Sequence, residues 1–141
     1  DKSIIEESVK VLEEMNTIIL DVRKVSGNQR VFDLGIKKGS LIFDAEHEEI
    51  FFEIESKYRY SQPGEHIQSG SVDVFTEELS SKKDYKIKLT LDYSGSNYDL
   101  QLKSGEDKKQ ITKASSLYQI SIVNEGKLVP EGKTILKFEV S

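Results

Sequence analysis

Apolar residues recur at seven-residue intervals through the opening of the chain. Ile4, Val11, Ile18 and Val25 form one row, and Ile5, Leu12 and Ile19 form a second row beside it. Met15 and Val22 fill the seam between them. Two adjacent rows at this spacing predict one amphipathic α-helix from Ser3 to Val25, roughly 30 Å long at about 1.5 Å per residue. Ser3 and Glu6 have the spacing of a capping box. Ser26-Gly27-Asn28 predict the end of the helix, with Gly27 as a left-handed cap.

From Arg30 onward the period changes to two. Val31 to Ile36 and Leu41 to Phe43 read as strands around the turn Lys37-Lys38-Gly39-Ser40, and together they predict a hairpin. Ile50 to Tyr60 reads as one long strand with Phe52, Ile54, Ser56, Tyr58 and Tyr60 on a shared face, ended by Pro63-Gly64. Val72 to Phe75 reads as a strand. Tyr85, Ile87, Leu89, Leu91 and Tyr93 alternate with Lys86, Lys88, Thr90 and Asp92, the pattern of a half-buried strand. Further short strands follow at Tyr98 to Leu102, Gln110 to Thr112, Tyr118 to Ile122 and Leu136 to Val140. The expected fold is α+β: a long N-terminal α-helix packed on an antiparallel β-sheet or β-sandwich of roughly nine short strands. One domain over residues 1–141 is expected, with the helix in residues 1–26 and a β-rich head in residues 30–141.

Composition narrows the chemistry. The chain has 141 residues, a formal net charge of -5 and 32% charged residues of both signs interspersed, so nucleic acid is not an expected partner. There is no cysteine, which excludes disulfides, thiol nucleophiles and cysteine-ligated zinc. There is no run of about 18 apolar residues that would cross a membrane. There are two histidines, His47 and His66; His66 follows Pro63-Gly64-Glu65 in a loop and reads as a surface residue, without the nucleophile partner of a general base. His47 lies in Glu46-His47-Glu48-Glu49, which reads as a solvated turn and only weakly as a metal site. Asp44, Glu46 and Glu48 alternate but lack the central glycine and the terminal glutamate of an EF-hand loop. There is no Gly-x-Ser-x-Gly motif and no glycine-rich phosphate loop. Tyr58, Tyr60, Tyr85 and Tyr93 could form a sugar-binding platform, although core packing is the commoner use of such residues. The expectation is a protein that is not an enzyme, with no cofactor, no metal and no small-molecule substrate.

Function then has to reside in the helix. A compact head can cover its lower stripe, so Met15, Ile19, Val22 and Val25 are expected to pack helix to head. The upper stripe, Ile4, Ile5, Val11, Leu12 and Ile18, is expected to face partner helices.

The long first helix, the strand pair Arg30-Val31-Phe32-Asp33-Leu34 and Gly39-Ser40-Leu41-Ile42, and the segment Leu117-Tyr118-Gln119-Ile120-Ser121-Ile122-Val123-Asn124-Glu125-Gly126 resemble archaeal type IV pilin-like proteins. That resemblance implies a class III signal peptide and a hydrophobic half-helix lying before Asp1. It implies initial anchoring in the cytoplasmic membrane and later assembly with other pilin subunits into a cell-surface filament, with a role in adhesion. The alternatives are a membrane-anchored archaellum stator or accessory β-sandwich that binds the cell envelope, and a carbohydrate-binding module.

Overall fold

As far as Val22 the two seven-residue rows fold as one helix, but they do not share one environment. The computed structural model describes residues 2–80 and 83–141; Asp1, where the helical region was expected to begin, lies outside them. Helix α1 (Lys2–Val22) buries Ile5, Leu12, Met15, Ile19 and Val22, each at 0–1% exposure. Its solvent face is polar throughout: Glu6, Lys10, Glu14, Thr17 and Asp21 are exposed. Ser3 lies inside the helix, one residue after its first described position.

The helix stops three residues short of the expected Val25. Asn124, buried in a distant strand, donates from Nδ2 to the Val22 carbonyl at 3.1 Å. The Asn124 carbonyl accepts the Gly27 N–H at 2.8 Å. One side chain therefore takes a terminal helix carbonyl that a continued helix would have used. Val25 falls in the turns that follow and is 58% exposed. Gly27 has the expected left-handed backbone, at φ +91°.

Ten strands follow among the described residues: β1 (Gln29–Leu34), β2 (Ser40–Asp44), β3 (Glu49–Ser56), β4 (His66–Ser69), β5 (Val72–Glu78), β6 (Tyr85–Asp92), β7 (Tyr98–Leu102), β8 (Lys108–Thr112), β9 (Tyr118–Gly126) and β10 (Thr134–Val140). They form a four-stranded sheet in the order β1-β9-β10-β7 and a six-stranded sheet in the order β4-β5-β6-β3-β2-β8. All pairs are antiparallel except β7 with β10, which run parallel. The architecture is α+β, one helix packed on two antiparallel-rich sheets.

The expected hairpin of β1 with β2 does not form. β1 pairs with β9, placing Phe32 opposite Ile120 and Leu34 opposite Tyr118. β2 lies in the other sheet, between β3 and β8. The connection crosses from sheet to sheet with Ile36 buried at 3% exposure. Gly39 makes the entry into β2 at φ +79°, and a Cβ there would stand 2.4 Å from the Glu53 carbonyl oxygen. Only glycine combines that backbone with that approach.

The long strand expected over Ile50 to Tyr60 ends at Ser56, whose Oγ accepts the Tyr58 N–H at 2.9 Å and turns the chain. β4 is a strand that the sequence pattern did not announce. Its four residues are exposed or half-buried and carry no apolar alternation to read.

The core lies between the sheets and under α1. β3 and β6 place Phe52 opposite Leu89 and Ile54 opposite Ile87, while β9 and β10 place Ile122 opposite Phe138. Phe43 of β2 and Phe138 of β10 join the two layers, with ring centroids 5.8 Å apart. Each fully buried aliphatic side chain contributes about 1.5–3 kcal/mol relative to exposure. These alternating positions therefore decide which face of each strand turns inward.

Candidate functional site

The helix splits its two rows by face and not by height. Ile5, Leu12 and Ile19 are all at 0% exposure. Ile4, Val11 and Ile18 are half-buried along one flank of α1. Ile5 and Leu12, expected to face partner helices, are therefore closed inside the core and have no surface left to offer. At the helix start the β1–β2 connection, Gly35 to Lys38, and Phe52 line a small pocket with Ile4 and Val11, so the body also extends beside the upper part of the helix. Lys37 also pairs with Glu7 at 2.9 Å. Met15, Ile19 and Val22 lie in the core, whereas Val25 lies outside it, beyond the end of the helix.

Polar contacts fix the roll of the helix on the body. Tyr93 donates from its hydroxyl to Asn16 Oδ1 at 2.6 Å, and Asn16 Nδ2 donates to Ser71 Oγ at 3.1 Å. The Glu13 carboxylate accepts the Ser71 N–H at 2.6 Å. At the far end Arg30 bonds Asp21 at 3.0 Å. With these bonds on both sides, the flank carrying Ile4, Val11 and Ile18 is held in one orientation.

A second feature lies on the outer face of the six-stranded sheet, with Ser71 at its edge also bonded to α1. There β3, β4, β5 and β6 line an open groove of about 750 Å³. Lys86 bridges to Glu53 at 3.0 Å, and Lys88 stands 3.8 Å from Glu49 and 4.2 Å above the Phe51 ring. The Glu53 contact and charge hold the Lys86 ammonium above its usual pKa. His66 lies on Phe75 at 4.5 Å between centroids and bonds Asp73 at 2.7 Å. The alternation of Lys86, Lys88, Thr90 and Asp92 placed these side chains on one face of a strand in the sequence. Which strands lie beside it could not be read there.

The remaining candidate residues diverge. Asp44 is buried and turns inward on His47, accepting its backbone N–H at 3.0 Å and meeting Nδ1 at 2.9 Å. Burial would raise its pKa, but the His47 hydrogen bonds and charge and the Lys108 charge together hold it below the usual value. Glu48 instead reaches β7, where its carboxyl accepts the Leu100 N–H at 2.8 Å, and burial together with the neighbouring Asp99 carboxyl pushes its pKa up. Among the described residues, no group of three or more potential ligands converges on a metal position. The tyrosines also separate. Tyr58 and Tyr60 meet edge to face at 6.3 Å, while Tyr93 packs on Tyr98 at 5.7 Å under the helix, so they make no common platform.

No described helix is long and apolar enough to cross a membrane. No family model, curated protein or solved structure matches the chain.

Proposed function

We propose that this chain is a structural subunit of an archaeal type IV pilus or a related pilin-like cell-surface filament, assembling with other subunits through its N-terminal helix. The observation that carries this reading is the half-buried aliphatic row Ile4, Val11 and Ile18. It runs along one flank of a helix whose outermost face is polar and whose buried face is apolar apart from Ser8, with Val9 and Leu20 half-buried on the other flank. A second helix laid on that flank would remove the remaining apolar surface from water, at about 25 cal/mol per Å². Ridge-into-groove packing then sets the crossing. On this reading the protein works outside the cell, is first held at the cytoplasmic membrane, and contributes to adhesion through its β-rich body.

A membrane-anchored accessory module that binds the cell envelope is the second reading. It is favoured by the open groove on the six-stranded sheet, which leaves the body a surface for a target that is not another subunit.

These 141 residues contain no cysteine, so a cysteine introduced among them is the only one in this region. In the full-length protein on cells, Ile18→Cys is expected to give disulfide-linked dimers on oxidation. Lys10→Cys, on the polar face, is expected to remain monomeric. Surface protein that stays monomeric with both substitutions would remove the filament reading.

A further inference from the structure

The groove on the outer face of the six-stranded sheet carries a charge layout that its own side chains leave uneven. β3 contributes Glu49 and Glu53, β5 contributes Asp73 and Glu77, and β6 contributes Asp92. Against these five carboxylates the lining holds two lysines, Lys86 and Lys88. Both are engaged toward β3, Lys86 with Glu53 and Lys88 with Glu49. Asp73 is occupied by His66.

At one end, Glu49 stands directly opposite Asp92 in the register of β3 with β6. Like charges placed opposite one another weaken a sheet. Lys88 reaches the first of the two at 3.8 Å, and the Asp92 carboxylate accepts the Ser94 N–H at 2.9 Å. A face that only meets water gains nothing from this opposition. A positive group arriving from outside would relieve it.

We propose that this groove docks an extended, lysine- or arginine-bearing peptide segment of a partner protein. Crossing from β4 to β3 covers three strand spacings, about 14 Å, which matches about four residues of extended chain. The lining is not purely charged: Phe75 belongs to it beneath His66, while Phe51 is buried under Lys88. Such a lining takes the aliphatic stems of long cationic side chains while their heads reach the carboxylates. The acidic excess disfavours anionic segments and fixes which partners are attracted. This proposal does not depend on helix-mediated assembly.

The test uses the 141-residue chain and a fluorescein-labelled hexalysine peptide, followed by anisotropy. Saturable binding is expected at about 50 mM salt, weakening about tenfold by about 500 mM as the charges are screened. Glu49→Gln combined with Asp92→Asn is expected to weaken binding about fivefold or more. Glu6→Gln combined with Glu14→Gln, which removes equal charge from the exposed helix face, is expected to change it less than about twofold. Glu77→Gln serves as a second groove variant, with circular dichroism checking that each variant folds. Equal loss in the groove and helix variants would overturn the proposal, since binding would then follow net charge. Absence of saturable binding would overturn it too. So would spermine binding as tightly as the peptide, because the groove would then be a site for small polycations.

Discussion

Glu48 joins three parts of the molecule through one residue. It adopts φ +59° in the turn between β2 and β3, a backbone that non-glycine residues seldom hold. Its carbonyl accepts the Tyr93 N–H at 2.8 Å and its carboxyl accepts the Leu100 N–H, also at 2.8 Å. Burial, followed by the hydrogen bond and charge of Asp99, pushes the Glu48 pKa up to about 7, despite the Leu100 N–H and Lys133 acting in the other direction. Asp99 moves the opposite way: the Glu48 hydrogen bond holds it below its usual value, against its own desolvation and with help from Gln101 and Lys133. A folded pKa raised above the unfolded value of 4.5 gives stability that is fully present below 4.5 and lost as pH rises through about 7. The depressed Asp99 gives stability present above 3.8 and lost as pH falls through its folded value. Because Glu48 is half-exposed, solvent screening reduces the full shift, and urea denaturation is expected to show a loss on the order of 1 kcal/mol between about pH 5.5 and about pH 8. Glu48→Gln, whose amide can both donate to Asp99 and accept from Leu100, is expected to flatten that slope. A slope unchanged by the substitution would assign the pH dependence elsewhere.

At the scale of elements, the helix shows what alternation and periodicity can and cannot give. Its existence, its inward face and most of its length are legible, because burying Ile5, Leu12, Met15, Ile19 and Val22 requires one spacing. Its end is not legible, because Asn124 sits 102 residues away and nothing local marks it as the cap. The same holds for β1 and β2. Each reads correctly as a strand, but a turn-like Lys-Lys-Gly-Ser between two strands suggests a hairpin, and tertiary packing sends them to different sheets. The division of the apolar rows is not legible from sequence either: the angle around the helix axis, and not height along it, decides which residues are covered. Leu12→Ala is expected to cost about 2–5 kcal/mol, as a fully buried leucine should. Val11→Ala, one position away on the half-exposed flank, is expected to cost about 1 kcal/mol or less. Denaturant midpoints compared at equal slope check this, and similar losses at both positions would erase the distinction between the rows.

For the whole molecule, the groove on the six-stranded sheet was only partly legible. The alternation in β6 placed Lys86, Lys88 and Asp92 on one face, but β5 and β3 on either side of it had to be seen. The pairing of β1 with β9 brings Gln29 opposite Val123, and the parallel pair joins Tyr98 to Thr134. Such distant pairings close long loops before they return any contact energy. Stopped-flow refolding from urea is expected to fall in the millisecond-to-second range. A microsecond phase carrying the full amplitude would mean that local structure dominates the barrier.

The roll-fixing contacts of α1 have a mechanical consequence. A pull applied along the helix from its first residues is not borne by a hinge. It loads the buried side chains together, in shear against the body, from Ile5 to Val22. The load ends on the bond between the Val22 carbonyl and Asn124, which hands it directly to β9 near the centre of the four-stranded sheet. From there it spreads sideways into β1 and β10, so the body resists traction as a braced panel and not as a bead on a string.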